Sequence, residues 1–222
     1  MCGRFSFVAE KEKIKKKFPK LVMPELLDAN FNVAPTQKAY VITSREHPKL
    51  HAMQWGLIPH WAKDAQGGIA LINARMETLS EKPSFKEAIK HQRCLVLMDS
   101  FYEWKTEGGR KVPYRILMKN EELMVLAGLW DEWRGLRTFS IITTEPNKEM
   151  LPIHNRMPVV LQSEDDFEMW LGKTTDLTKI LKRCKKQNNG ILSMYRVSEK
   201  LNSVKNNGPD LHKEVPKDLT LF

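Results

Sequence analysis

Short runs of alternating apolar and polar side chains, or of consecutive apolar ones, make up much of the chain and predict β-strands. The first is Arg4–Val8, directly after the N-terminus. Further strands are predicted at Ala39–Thr43, Leu50–Trp55, Cys94–Met98, Phe101–Lys105, Val112–Met118, Leu123–Trp130 and Thr138–Thr144. Glu107-Gly108-Gly109 separates two of them and is typical of a hairpin turn, so the second half of the chain is predicted to form an antiparallel meander.

Segments with helical spacing of apolar residues are shorter and lie between these strands. Helices are predicted at Ala9–Phe18, Pro83–Lys90, Pro146–Met150, Ser163–Trp170 and in a segment that ends near Lys186. Asn30–Gln37 and Asn202–Pro209 are rich in Asn and Pro, which predicts loops. The pattern therefore predicts one α+β domain over residues 1–222. Its core would be a curved, mainly antiparallel sheet or open β-barrel, with helices on the periphery.

Two stretches break the regular pattern. Trp55–Lys63 (WGLIPHWAK) contains two Trp, one Gly and one Pro, so it cannot form a regular helix or central strand. Such a segment is either a plug in the core or a surface on which unpaired bases stack, and the pattern does not choose between them. In Ile72–Thr78 (INARMET), which follows Gly67-Gly68, an extended chain would place Asn73, Arg75 and Glu77 on one face.

Composition adds limits on the class of protein. The 222 residues are 41% hydrophobic, enough for one sizeable core. The net charge of +9 favours a polyanionic partner, although two lysine-rich helices contribute much of it. Three separated cysteines without a CxxC spacing favour neither a disulfide framework nor a metal site, and predict a reduced, cytoplasmic protein. Neither a membrane span nor a signal peptide is predicted.

Candidate chemistry begins at the N-terminus, Met1-Cys2-Gly3-Arg4. Removal of Met1 would leave Cys2 with an α-amine and a thiol on adjacent carbons. Their reference pKa values are about 7.7–8.0 and about 8.5, and a cation such as Arg4 would increase the thiolate fraction. This pair attacks an aldehyde twice, first through nitrogen to give an imine and then through sulfur to close a thiazolidine. The alternative is that Cys2 is simply the second residue.

Other candidates are polar residues in unusual company. Glu103 lies between Tyr102 and Trp104, where burial would suit a proton shuttle, while strict alternation would turn it to solvent. His154 opens a predicted strand and can act as acid or base, or it is an ordinary surface histidine. Asn73 can orient a hydroxyl or an amine. The arginines Arg4, Arg75 and Arg156 suit phosphate contacts.

Taken together, the motifs resemble those of the SRAP family, the SOS-response-associated peptidases, also called abasic-site-processing proteins. The resemblance covers nearly the whole chain and rests on nine segments in order: MCGRF, NVAPTQ, WGLIPHWAK, INARMET, FYEWK, LAGLW, ITTEPN, HNRMPVVL and NSVKNNGP. So many spaced motifs are far more specific than any one of them.

The resemblance implies an enzyme without cofactor or metal that acts on abasic sites in single-stranded DNA. Cys2 would form a covalent thiazolidine crosslink after loss of Met1, with a possible lyase side reaction through the imine. The implied site residues are Cys2, Glu103, His154 and Asn73 for catalysis, and Gly3, Arg4, Pro35, Trp55, Arg75 and Arg156 for DNA binding. A monomer that joins the nucleoid during DNA damage is expected. Two alternatives stay open: a peptidase with an N-terminal cysteine nucleophile, and a nucleic-acid-binding module without chemistry.

Overall fold

The computed structural model describes residues 2–44, 46–64, 71–172, 176–185 and 187–216. The strands are β1 (Arg4–Phe7), β2 (Asn30–Val33), β3 (Lys38–Ile42), β4 (Leu50–Trp55), β5 (Asn73–Arg75), β6 (Arg93–Met98), β7 (Ser100–Glu107), β8 (Arg110–Met118), β9 (Met124–Trp133), β10 (Leu136–Thr144), β11 (Met157–Pro158), β12 (Val160–Leu161) and β13 (Leu192–Arg196). The helices are α1 (Lys11–Lys17), α2 (Pro83–Lys86), α3 (Ala88–His91), α4 (Glu164–Leu171) and α5 (Leu177–Lys185), with 3₁₀ turns at Met76–Thr78, Glu199–Asn202 and Pro209–His212.

Five strands close into a barrel. β3 pairs with β4 and β6, β6 with β9, and β9 with β10, all antiparallel. The ring closes where β10 runs parallel to β4, with Thr138 opposite Gln54 and Phe139 opposite Trp55. The predicted α+β class with a mainly antiparallel sheet is confirmed, but the barrel is closed rather than open, because this parallel contact removes the free edge.

A second, antiparallel sheet of order β13-β8-β7-β1-β2 covers one side of the barrel. β6 is apolar from Cys94 to Met98, and the packing of these residues explains why. Leu95 and Leu97 pack into a core beneath the helices, whereas Cys94, Val96 and Met98 pack into a core shared with the second sheet. Since both faces of the strand are covered, no position is left for a polar residue.

The N-terminal strand β1 lies inside the second sheet, between β7 and β2. Its partners are Tyr102 opposite Arg4 and Phe101 opposite Phe5 on one side, and Val33 opposite Phe5 on the other. This register places residue 2 at the end of the sheet, between the two layers. In the described residues, no helix is long and apolar enough to cross a bilayer.

Several local predictions were wrong. Asn30–Val33 is an edge strand rather than a loop, because β1 supplies its partner. The residues of Pro146–Met150 form turns rather than a helix, and Pro83–Lys90 is divided into α2 and α3. The strand β13 was missed. The extended run after Asn73 ends at Arg75, so Glu77 enters a 3₁₀ turn; the predicted Gly67-Gly68 turn lies outside the described residues.

Candidate functional site

Cys2 lies between the two sheets, immediately before β1. Its side chain is 1% exposed and belongs to the apolar cluster that contains Phe5, Trp55 and Met150. The thiol donates a weak hydrogen bond to the carbonyl oxygen of Arg4, with Sγ and O 3.8 Å apart. Cys2 is therefore held inside the fold.

Asn73 fixes the main chain of Cys2. The Nδ2 of Asn73 donates to the carbonyl oxygen of Cys2 at 2.7 Å. The residue begins β5, which lies parallel to β10 with Asn73 opposite Ile141. Its Oδ1 is buried and accepts no hydrogen bond from the described residues. Leaving a buried acceptor unused costs about 1–3 kcal/mol, which is typical of an atom kept for a ligand.

Glu103 lies on β7 opposite Tyr114 and is 3% exposed. The alternative that alternation turns it to solvent is therefore wrong, because β7 is covered on both faces along its first half. Burial, followed by the Glu103 charge, raises the pKa of the Cys2 thiol well above its ordinary value. The net shift opposes the expected increase in thiolate, although the hydrogen bond to the Arg4 carbonyl acts in the opposite direction.

His154 lies in the turn between β10 and β11. Its backbone N–H donates to the carbonyl oxygen of Met150 at 2.9 Å. Met150 shares an apolar cluster with Cys2, so the turn is anchored to the core beneath the terminus. The His154 Nδ1 accepts from the backbone N–H of Arg156 at 3.0 Å, so a neutral imidazole carries its proton on Nε2.

The three predicted arginines have different surroundings. Arg4 donates through Nη1 to Asn32 Oδ1 at 2.6 Å and to the Leu201 carbonyl at 2.9 Å, and burial lowers its pKa. Arg156 binds the carboxylate of Glu77 through both terminal nitrogens. Arg75 is exposed. Contact of these arginines with DNA phosphates stays a prediction.

The remaining predictions of DNA contact have different outcomes. Trp55 is 0% exposed, its ring centroid lies 4.8 Å from that of Phe5, and its Nε1 donates to the Ile72 carbonyl at 2.9 Å. Trp55 is therefore a core plug, and base contact by its ring is wrong, since no face is left for a base. Gly3 and Pro35 are partly exposed, and their DNA contacts stay predictions.

Sequence reasoning missed two residues that shape the site. The Nδ2 of Asn32 donates to the carbonyls of Ser203 and Asn206, at 3.0 and 2.9 Å, which attaches the C-terminal segment beside β1. Trp104 is partly exposed, and the guanidinium carbon of Arg4 lies 6.0 Å from its ring centroid. The signal available in the sequence for Asn32 was an amide side chain between two apolar residues, Phe31 and Val33, but the segment was interpreted as a loop.

The described residues contain no group of three or more His, Cys, Asp or Glu side chains that could hold an ion. They do offer a buried thiol, a Cys2 carbonyl held by an amide, a buried carboxylate and a histidine with a defined tautomer. These groups suit proton transfer around a nucleophile at the N-terminus.

Comparison with known proteins finds similarity along most of the chain. A model of the SOS response associated peptidase (SRAP) family matches residues 1–204. The abasic site processing protein YoqW of Bacillus subtilis (strain 168) is 41% identical over 220 residues, 95% of this chain and 98% of that protein. The abasic site processing protein HMCES of Gallus gallus is 29% identical over 235 residues, 86% of this chain and 68% of that protein. A crystal structure from Bacteroides thetaiotaomicron, 28% identical, covers 97% of this chain and 100% of that one with a TM-score of 0.85.

Proposed function

The chain belongs to the SOS response associated peptidase (SRAP) family, and from that premise we propose that it processes abasic sites in single-stranded DNA through a covalent bond to Cys2. The names of its relatives, abasic site processing proteins, support the substrate. The observation that carries the proposal is the position of Cys2, whose carbonyl is bound by Asn73 and whose thiol is close enough to Glu103 for that charge to affect its pKa.

The reaction starts with the open form of an abasic deoxyribose, which has an aldehyde at C1′. After loss of Met1, the α-amine of Cys2 adds to C1′ and gives a carbinolamine. Loss of water gives the imine. The thiol then adds to C1′, its sulfur forms the C–S bond, and its proton moves to the ring nitrogen, which closes the thiazolidine. The net reaction joins aldehyde and aminothiol and releases one water.

The protonation states favour this order of steps. Burial and Glu103 raise the pKa of the Cys2 thiol while Met1 is attached, so we expect the α-amine released by loss of Met1 to add to the aldehyde before the sulfur does. Glu103 carries protons during dehydration and ring closure, and His154, with its proton on Nε2, acts as the acid that opens the sugar ring. Holding the aldehyde beside a fixed terminus supplies much of the rate as effective molarity.

The imine is also the branch point for strand cleavage. It acidifies the C2′ proton, so β-elimination competes with closure by sulfur. The ligand is single-stranded, because bases beside the lesion must separate to admit the sugar to a thiol that is 1% exposed. The net charge of +9 predicts binding that weakens steeply with salt.

The test is adduct formation with a single-stranded oligonucleotide that contains one abasic site. The native protein should give a product that survives denaturation. Cys2→Ala can form only the imine, which acid hydrolyses unless it has first been reduced, so without reduction it should give no acid-resistant product. Cys184→Ala is the matched control, because Cys184 is also a buried free cysteine but packs in the other core. A stable adduct from Cys2→Ala equal to that of the native protein would refute the thiazolidine.

A peptidase with Cys2 as nucleophile is the second candidate, and the description of the family supports it. Removal of Met1 by the protein itself would account for such an activity without a foreign substrate. Mass spectrometry of protein made without a methionine aminopeptidase separates the two: retained Met1 excludes self-cleavage. A binding module without chemistry would instead bind abasic and intact strands equally and form no adduct.

A further inference from the structure

Arg156 is held by hydrogen bonds from both of its terminal guanidinium nitrogens. Its Nη1 and Nη2 lie 2.8 and 2.9 Å from the two carboxylate oxygens of Glu77. Nη2 also donates to the carbonyl oxygen of Thr143 at 2.7 Å. The side chain of Arg156 is 13% exposed and that of Glu77 36%. This is the bidentate geometry in which a guanidinium and a carboxylate define each other's orientation.

The ion pair connects the two segments that flank β10. Thr143 is opposite Arg75 of β5 in one pairing and opposite Pro158 of β11 in the other. Glu77 follows β5, the strand that begins with Asn73, whereas Arg156 precedes β11 and follows the His154 turn. The Glu77–Arg156 contact therefore crosses the end of β10 and joins the segment that holds Cys2 to the segment that carries the histidine.

Arg156 also controls the imidazole directly. Its backbone N–H donates to His154 Nδ1, so the position of residue 156 decides which nitrogen of the ring holds the proton. Burial acts to raise the pKa of Glu77, but the hydrogen bonds from Arg156, a backbone hydrogen bond and the charges of Arg156 and Arg75 together hold the pKa below its usual range. The carboxylate is thus charged throughout the neutral range.

We propose that Glu77 is a positioning residue that, through Arg156, holds the His154 turn and its Nε2–H tautomer in register with Asn73 and Cys2. The effect that this inference predicts on the rate of adduct formation rests on the proposed function, whereas the effect that it predicts on the His154 tautomer does not.

The inference predicts that Glu77→Gln slows adduct formation without weakening noncovalent binding of DNA. Glu77→Gln is nearly isosteric, removes one negative charge beside Arg75 and Arg156, and releases the guanidinium toward DNA phosphates. Noncovalent binding should therefore be unchanged or tighter. The rate of adduct formation at saturating oligonucleotide should fall by about 10- to 100-fold, since displacements near 1 Å cost rates of that order.

The experiment combines single-turnover kinetics with ¹⁵N spectroscopy of the histidine ring. Glu132→Gln is the matched control, because Glu132 and Arg137 form an exposed ion pair at 2.8 Å on the β9–β10 hairpin. Glu77→Gln should show a mixture of His154 tautomers and a slower rate of adduct formation. Glu77→Asp should restore part of the Nε2–H tautomer and part of the rate. Glu132→Gln should resemble the native protein in both measurements.

The inference is overturned by a saturating rate for Glu77→Gln within fivefold of the native value, by an equal loss in Glu132→Gln, or by an unchanged Nε2–H tautomer. If the native protein forms no adduct at all, the proposed function fails instead. The tautomer spectrum, which needs no DNA, then still decides the role of Glu77.

Discussion

Replacing Asn73 with alanine deletes the 2.7 Å hydrogen bond from its amide to the Cys2 carbonyl and leaves the strand β5 in place. The carbonyl sits in a residue that is 1% exposed, so water does not readily replace the lost donor. A buried acceptor left without a partner costs about 1–3 kcal/mol, and this is the expected decrease in the free energy of unfolding.

The same free energy sets the kinetic effect. If the whole cost of about 1–3 kcal/mol for the unpaired carbonyl appears as misplacement of the terminus, adduct formation slows by about 5- to 150-fold, at 1.36 kcal/mol per factor of ten. The loss of Oδ1, the buried acceptor that could receive the α-amine, acts in the same direction. The assay is single-turnover adduct formation with the abasic oligonucleotide, measured beside urea unfolding of the same variant.

Asn206→Ala is the matched control for this experiment. The Asn206 Nδ2 also donates to a backbone carbonyl at 2.7 Å, that of Lys200, but at an exposed place on the C-terminal segment. The reasoning is refuted if Asn73→Ala reacts within twofold of the native rate, or if Asn206→Ala slows the reaction as much.

Three further predictions concern stability, each measured as a urea midpoint. Trp55→Ala should lower the free energy of unfolding by about 3–5 kcal/mol because the ring is fully buried; an unchanged midpoint would show that the ring is dispensable to the core. Burial raises the pKa of Cys184 to about 12, against about 8.5 for an unfolded thiol, so its contribution is present below about pH 8.5 and decreases as the pH rises toward 12. Stability should fall between pH 8.5 and 10 more steeply in the native protein than in Cys184→Ala, and equal slopes would contradict this sign. Gly128→Ala would place a Cβ 2.7 Å from Val96 Cγ2 and 2.9 Å from Cys94 Sγ, so a loss of about 1–3 kcal/mol is expected; no loss would mean that β6 and β9 can separate at no cost.

Local signals in the sequence were enough for the elements whose partners are adjacent in the chain. The turn at Gly108-Gly109 has φ values of 55° and 80°, the left-handed backbone that the two glycines predicted. The apolar run Cys94–Met98 was also recognised as a strand from the pattern alone, although its partners β3 and β9 are not adjacent in the chain.

Contacts between distant segments were not available from the pattern. Closure of the barrel depends on the parallel pairing of Thr138 with Gln54, which no periodicity encodes. The strand Asn30–Val33 contains two asparagines and exists because β1 pairs with it. Whether Glu103 faces water or the core is likewise decided by the neighbouring layer, since alternation alone favours the solvent side.

The features of the site likewise divide into those that the sequence indicates and those that depend on tertiary structure. Cys2 was found from its position beside Met1, and Asn73, Glu103 and His154 through the family's motifs. The bond between Asn73 and Cys2 and the buried setting of Glu103 depend on tertiary structure. Trp55 was misassigned because an aromatic residue in an irregular segment has the same pattern whether it plugs a core or meets a base.

The strand β1, which directly follows Cys2 and Gly3, cannot pair fully until much later parts of the chain have been synthesised. Ser6 of β1 and Ser100 of β7 are hydroxyl partners separated by 94 positions. At translation speeds of about 5–20 residues per second, roughly 5–20 seconds pass before the ribosome has delivered that partner. During this interval Cys2 is not yet covered by the second sheet, whereas in the folded chain it is 1% exposed. The loss of Met1 that the proposed reaction requires is therefore favoured before Ser100 has been synthesised.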